Sequence, residues 1–147
     1  MTIKLTRNDF SPYFRQTLDY VFLDDIEIEP GVFSNGKFLL QQDLWVFKWH
    51  FPGNPVFPGV FLMESMQQAG GLIINTLPNK RELPLFFYGA KEIKISKEAR
   101  PGDLLENKVR LLSSRFGVNK FEGDLFINGE QCCSMCFTLV APKEMIA

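Results

Sequence analysis

No charge of either sign dominates this sequence: 16 Lys and Arg residues stand against 17 Asp and Glu. A surface that grips a nucleic-acid backbone needs a basic excess, and none is present. Long apolar runs are missing too. No stretch reaches the roughly 20 residues needed to span a bilayer. The opening Met1-Thr2-Ile3-Lys4-Leu5-Thr6-Arg7 is too short and polar for a signal peptide. Cysteine is scarce, with Cys132, Cys133 and Cys136 crowded within five residues. An odd, clustered set without a secretory signal reads as reduced thiols in a cytoplasmic protein. Cys133 and Cys136 have the spacing of half a metal site. A second pair and a nearby histidine are missing, so no metal and no other cofactor is expected. Histidine occurs once, at position 50. Repeats, linkers and low-complexity blocks are lacking, and residues 1–147 read as one domain.

What is abundant is phenylalanine, 15 in 147 residues. Such a content predicts a thick core, an apolar ligand site, or both. Asp9, Ser11 and Pro12 suit the opening of a short helix. Leu18 to Glu29 reads as a strand ending at Pro30-Gly31, with Val32 to Gln42 returning. Asp43 to Gly59 holds Pro52, Pro55 and Pro58, a density that neither helix nor central strand accepts, so it reads as loop. Its Trp45, Phe47, Trp49, Phe51 and Phe57 imply a loop packed against something. Val60 to Leu77 holds no proline and is apolar nearly all round, which predicts a buried helix. Pro84–Lys97, Leu104–Leu112, Asn119–Ile127 and Gln131–Val140 read as strands. Turns fall at Arg100-Pro101-Gly102-Asp103, Arg115-Phe116-Gly117 and Asn128-Gly129. The sum is an α+β architecture, an antiparallel sheet wrapping one hydrophobic helix. Gly70-Gly71 inside that helix costs stability and implies a close approach of the sheet or a second helix.

The chemistry concentrates around His50, the only side chain with an ordinary pKa near neutrality. Gly59 stands where the loop meets the helix, so its N–H is among the first unsatisfied donors of the helix N-terminus. Such donors suit negative charge developing on a carbonyl oxygen. Glu64 lies about one and a half turns further on, where burial would raise its pKa and suit it to be a general acid. Base, acid and oxyanion-stabilising helix end together describe proton removal beside a carbonyl. Against this stand plainer readings: a structural histidine and a half-exposed helix glutamate.

The string His50-Phe-Pro-Gly-x-Pro-x-x-Pro-Gly-Val60 is followed by Glu64, fourteen residues after the histidine, and by Gln68. It resembles the active-site signature of the (3R)-hydroxyacyl-acyl-carrier-protein dehydratases of fatty-acid synthesis. Phe22-Leu23-Asp24-Asp25, Phe86-Phe87-Tyr88-Gly89 and Arg100-Pro101-Gly102-Asp103 resemble further elements of that family. Leu44-Trp45-x-Phe47 and Pro55-Val56 resemble its dehydrating and isomerising branch, whereas Glu64 is the mark of its general dehydratase branch. The resemblance implies a hot-dog fold, a curled antiparallel sheet around one long central helix. It implies His50 as base and Glu64 as acid, contributed by opposite protomers of a homodimer or an assembly of dimers. It also implies an acyl thioester substrate carried on the phosphopantetheine arm of acyl carrier protein. Substrate-binding positions are then Gly59, Val60 and Gln68, with Phe51, Phe57, Phe61, Phe87 and Tyr88 lining an acyl tunnel; plain core packing remains open for each aromatic. Lys91, Lys94, Lys97 and Arg100 are candidates to greet the acidic carrier, or simply a solvated face. An acyl thioesterase and a non-catalytic acyl or carrier-binding module are the competing functions.

Overall fold

The hydrophobic segment without prolines folds as helix α2, Gly59–Asn75. In the computed structural model, which describes residues 1–145, this helix lies against one face of a seven-stranded sheet. The strands are β1 Ile3–Thr6, β2 Asp25–Glu29, β3 Phe33–Leu39, β4 Phe86–Ile95, β5 Leu104–Arg115, β6 Val118–Ile127 and β7 Glu130–Val140. They run in the order β1-β2-β3-β5-β6-β7-β4, with every pairing antiparallel. Register shifts in the β5–β6, β6–β7 and β4–β7 pairs add twist. A sheet so bent closes around a single helix, and the hot-dog arrangement expected from the resemblance is the fold observed.

Alternation explains which residues meet the helix. Along β6, Phe121, Leu125 and Ile127 point inward and are buried, while Lys120 and Asp124 alternate outward. Phe121 stacks on Phe137 of β7 with ring centroids 5.0 Å apart and planes 13° from parallel. Burying each such ring contributes about 3 kcal/mol. The pair is wide, and the helix comes close to it only because Gly70 has no side chain. A Cβ there would meet Phe137 Cζ at 2.9 Å and Phe121 Cδ1 at 3.3 Å. The neighbouring Gly71 is different: its nearest such contact is Leu85 Cδ1 at 3.7 Å. Only one member of the glycine pair therefore serves the close approach. At Asn128-Gly129 both residues have positive φ, 50° and 87°, the geometry of a two-residue hairpin turn.

Three expectations need correction. Leu18–Glu29 is a strand only from Asp25; before it come a 3₁₀ turn at Leu18–Tyr20 and an irregular strap through Asp24. Val21, Phe22 and Leu23 are all buried in succession, which a strand with one wet face does not allow. The helix expected to open near Asp9 is instead strand β1 followed by a 3₁₀ turn at Arg7–Asp9, where the Asp9 carboxylate accepts the Thr6 N–H at 2.9 Å. The 43–59 loop contains one helical turn, α1 Val46–Trp49, in the part that precedes its first proline.

Substituting the two helix glycines separates space from propensity. Gly71→Ala is expected to raise stability by up to about 1 kcal/mol, the gain in helix propensity. Gly70→Ala is expected to lower it by about 1–3 kcal/mol through overpacking against Phe137. Urea unfolding of the two variants checks both signs.

Candidate active site

Two cradles hold the residues that the sequence singles out. The first is the loop between α1 and α2. His50 N–H donates to the Val46 carbonyl at 3.0 Å, and the Val56 N–H donates to the His50 carbonyl at 2.9 Å. The imidazole Nδ1 lies 2.9 Å from the Val56 carbonyl oxygen. A carbonyl only accepts, so Nδ1 carries a proton, and in the neutral ring Nε2 is the nitrogen with the lone pair. That is the tautomer of a base. The loop itself is tied at Phe51 and Asn54, whose backbones exchange hydrogen bonds of 3.2 and 2.9 Å around Gly53 at φ 74°. Arg100 donates to Asn54 Oδ1 at 3.0 Å, and Phe57 N–H donates to the Ala99 carbonyl at 2.8 Å. His50 stacks on Phe51, centroids 3.9 Å apart.

The second cradle is on α2. Glu64 is half-buried and accepts one hydrogen bond, from Gln68 Nε2 at 3.1 Å. Burial raises its pKa above the ordinary carboxylate value, and the Gln68 hydrogen bond only partly opposes this. Gln68 is itself fixed from the other side. Its Oε1 accepts the Phe22 N–H at 2.8 Å, and its Nε2 donates to the Tyr20 carbonyl at 2.8 Å. These two backbone groups allow only one orientation of the amide, so the second Nε2 proton points at Glu64. Ser65 adds a hydrogen bond to the Phe22 carbonyl at 3.0 Å and accepts one from Asn107 at 3.0 Å.

The structure divides the expected site residues into groups. Glu64, Gln68 and Phe87 line one cavity of about 520 Å³, together with Leu72, Leu85 and Phe86. His50 is not among its lining residues. Phe57 is fully buried among Phe22, Phe38, Phe47 and Phe61, a core position. Phe61 joins the same cluster and touches Tyr20 and Trp45. Phe51, Val60 and Tyr88 are exposed, Val60 at 66% and Tyr88 at 77%. Pro58 gives α2 no side-chain cap, so the N–H groups of Gly59 and Val60 have no partner within the helix. A side chain at Gly59 would press on Ile95 Cδ1, 3.2 Å away.

Comparison with known proteins decides the lineage. Residues 26–136 match the model of the FabA-like domain. The chain belongs to the FabA-like family. Among curated FabA-like relatives, it is 39% identical over 117 residues to 3-hydroxyacyl-acyl-carrier-protein dehydratase FabZ of Latilactobacillus sakei, covering 78% of this chain and 82% of that protein. It is 32% identical over 130 residues to the FabZ of Enterococcus faecalis, covering 88% and 92%. Among solved structures, the dehydratase heterocomplex ApeI:P from Xenorhabdus doucetiae superposes with a TM-score of 0.74 at 17% identity, over 89% of each chain. A hypothetical thioesterase with coenzyme A from Streptococcus pneumoniae superposes at 0.58 and 14% identity, over 76% and 79%. These distant likenesses concern the fold.

Both cradles fall within the FabA-like span, but the strap that orients Gln68 precedes it. Local sequence patterns missed that strap, since its partners lie 46 and 48 residues away. The cysteines stand apart from the site. Cys132 and Cys133 are buried, which pushes their thiols up to about 12 and about 11. Among the described residues, no group of three His, Cys, Asp or Glu side chains is placed to hold a metal ion. Nor is any described helix long and apolar enough to cross a membrane.

The raised pKa of Glu64 has a sign that stability measurements read. A carboxyl whose pKa is raised on folding favours the folded state at low pH, and this contribution fades as pH climbs from the ordinary carboxylate value through the raised one. Over that window the native protein is expected to lose stability relative to Glu64→Gln. Denaturant titrations of both proteins at successive pH values check it; parallel profiles would contradict the raised pKa.

Proposed function

We propose that this protein dehydrates (3R)-hydroxyacyl thioesters, carried on acyl carrier protein, to trans-2-enoyl thioesters in fatty-acid or related lipid and polyketide synthesis. The observation that carries the reading is the pairing of states: an imidazole whose Nε2 is kept free by the Nδ1 contact with Val56, and a carboxyl held towards its protonated form by burial. The dehydratase names of the curated relatives support it. The thioester carbonyl accepts the Gly59 N–H, which acidifies the α-carbon. His50 Nε2 takes the α-proton, the C–O bond at C3 breaks, and Glu64 gives its proton to the departing hydroxyl, which leaves as water. Proton transfer from the imidazolium back to the carboxylate restores both groups. Neither step requires a metal or an organic cofactor.

The working unit in this reading is a homodimer in the cytoplasm, with His50 from one protomer facing Glu64 of the other. Two observations support it. His50 does not line the cavity that holds Glu64 within one chain. The sheet also ends in β4, a ten-residue edge strand that leaves Phe86, Phe87, Tyr88, Ile93 and Ile95 exposed. The opposite edge, β1, has only four residues, two of them the exposed Lys4 and Thr6. Around the exposed Lys91, Glu92 and Lys94, β4 carries exposed apolar side chains at both ends, and these invite a partner more than the short polar β1 does. Phe51, Phe87 and Tyr88 are assigned to the acyl tunnel formed between protomers.

Given a short (3R)-hydroxyacyl thioester, the native protein is expected to raise enoyl-thioester absorbance. His50→Ala and Glu64→Gln are each expected to lower the rate by about 10²–10⁴-fold. Release of free thiol instead would identify a thioesterase, and binding without turnover a binding module.

Mixing separately purified His50→Ala and Glu64→Gln proteins tests the composite site. Subunit exchange is expected to restore activity, because each mixed dimer regains one site with both native residues. A mixture that stays inactive after demonstrated exchange would place both residues in one protomer.

A further inference from the structure

Arg7 sits at the end of β1, far from His50 in sequence and outside the FabA-like span. Its guanidinium nevertheless makes three side-chain hydrogen bonds to the strap, against two from Gln68. Nη1 donates to the carbonyls of Val21 and Leu23 at 3.0 and 2.9 Å, and Nη2 donates to that of Leu18 at 2.7 Å. The Arg7 N–H adds a bond to the Asp24 carbonyl at 3.1 Å. Three charge-assisted donors in one rigid fork fix a backbone far better than a flexible ammonium.

The carbonyls that Arg7 takes alternate with those that face the helix. Leu18, Val21 and Leu23 turn to the guanidinium, whereas the Tyr20 carbonyl turns to Gln68 and the Phe22 carbonyl to Ser65. The Phe22 N–H turns to Gln68 as well. The strap is thus a two-sided backbone. One side is clamped by Arg7, and the other presents a donor and an acceptor that select the orientation of one buried amide. That amide is the hydrogen-bond donor seen on Glu64.

We propose that Arg7 is a positioning residue for Glu64, acting through the strap and the amide of Gln68. The inference rests on the reading of Glu64 as the catalytic acid. If Arg7 is removed, the strap loses its outer anchors, the Gln68 amide loses its fixed orientation, and the carboxyl no longer holds its angle to the substrate hydroxyl. Arg7 is not among the residues lining the cavity beside Glu64, so the loss is expected on kcat rather than KM.

The test measures steady-state dehydration by native protein, Glu64→Gln, Arg7→Met, Arg7→Lys, Gln68→Leu and the double variant Arg7→Met with Gln68→Leu. Arg7→Met is expected to lower kcat about tenfold, a scale set by small misplacements of catalytic groups, with KM held within about twofold. Arg7→Lys, which keeps the charge but not the fork, is expected to recover part of that loss. In the Gln68→Leu background, Arg7→Met is expected to lower kcat no further, because both act through one amide. Amide hydrogen exchange supplies a readout without activity: the Phe22 N–H is expected to exchange faster in both Arg7 variants, while Val109 in β5 keeps its protection. Native kcat in Arg7→Met, or losses that multiply in the double variant, would overturn the inference. Lost protection at Val109 in both Arg7 variants would do the same, assigning Arg7 to the fold alone. Turnover that needs Glu64 but not Arg7 removes only this inference. Turnover that is absent, or indifferent to Glu64, removes the dehydratase reading and the inference with it.

Discussion

A helix enclosed by a sheet has nowhere to hide a polar atom, and this constraint organises the protein. Every polar side chain on α2 that faces inward must find a fixed partner, because an unpaired one costs about 1–3 kcal/mol. Ser65 bonds the Phe22 carbonyl, Gln68 takes the Phe22 N–H and the Tyr20 carbonyl, and Asn75 donates to the carbonyls of Lys80 and Leu83. The Ala69 carbonyl is met by the hydroxyl of Ser34. The partners of Ser65, Gln68 and Asn75 named here are backbone groups of segments outside the strands that would otherwise wander. The need to satisfy the helix therefore shapes the loops around it, and the chemistry uses what results. Glu64, half-buried and accepting only the Gln68 hydrogen bond, has its pKa raised by that burial.

His50 shows the same economy on the other side of the loop. Its ring is oriented by a carbonyl six residues later, inside the same loop, so the turn that shapes the backbone also fixes the tautomer. The prolines stiffen this turn, and the bridge from Phe57 to Ala99 anchors its exit to the connection between β4 and β5. Base and acid are thus prepared by different means, one by local loop geometry and one by contacts across nearly fifty residues.

That difference governs how much the sequence reveals. The His50 loop, the α2 helix, the Asn128-Gly129 hairpin and the four later strands follow from short-range signals: proline density, all-round apolar character, alternation and turn chemistry. The strap from Leu18 to Asp24 does not. Its run of Val21, Phe22 and Leu23 has the composition of a strand, but its hydrogen bonds go to Arg7, Gln68 and Ser65 rather than to a neighbouring strand. Strand β1 was hidden for a related reason, since four residues with two polar ones carry too little pattern to read. Phe57 illustrates the opposite limit. A phenylalanine count predicts rings in the core and rings in a tunnel, but only three-dimensional packing separates Phe57, enclosed by four others, from Phe87, which lines the cavity beside Glu64.

The position of the strap bears on where such a domain may be cut. The FabA-like span begins at residue 26, two residues after the strap ends. A chimera joined at that boundary would carry the His50 loop, the helix and all of the later sheet. It would also arrive with the Gln68 oxygen and one of its protons facing groups from a foreign chain. The family span leaves out the hydrogen bonds that aim this carboxyl, which begin nineteen residues earlier, at Arg7. Grafts between members of the family need to transfer the strap and helix as one part.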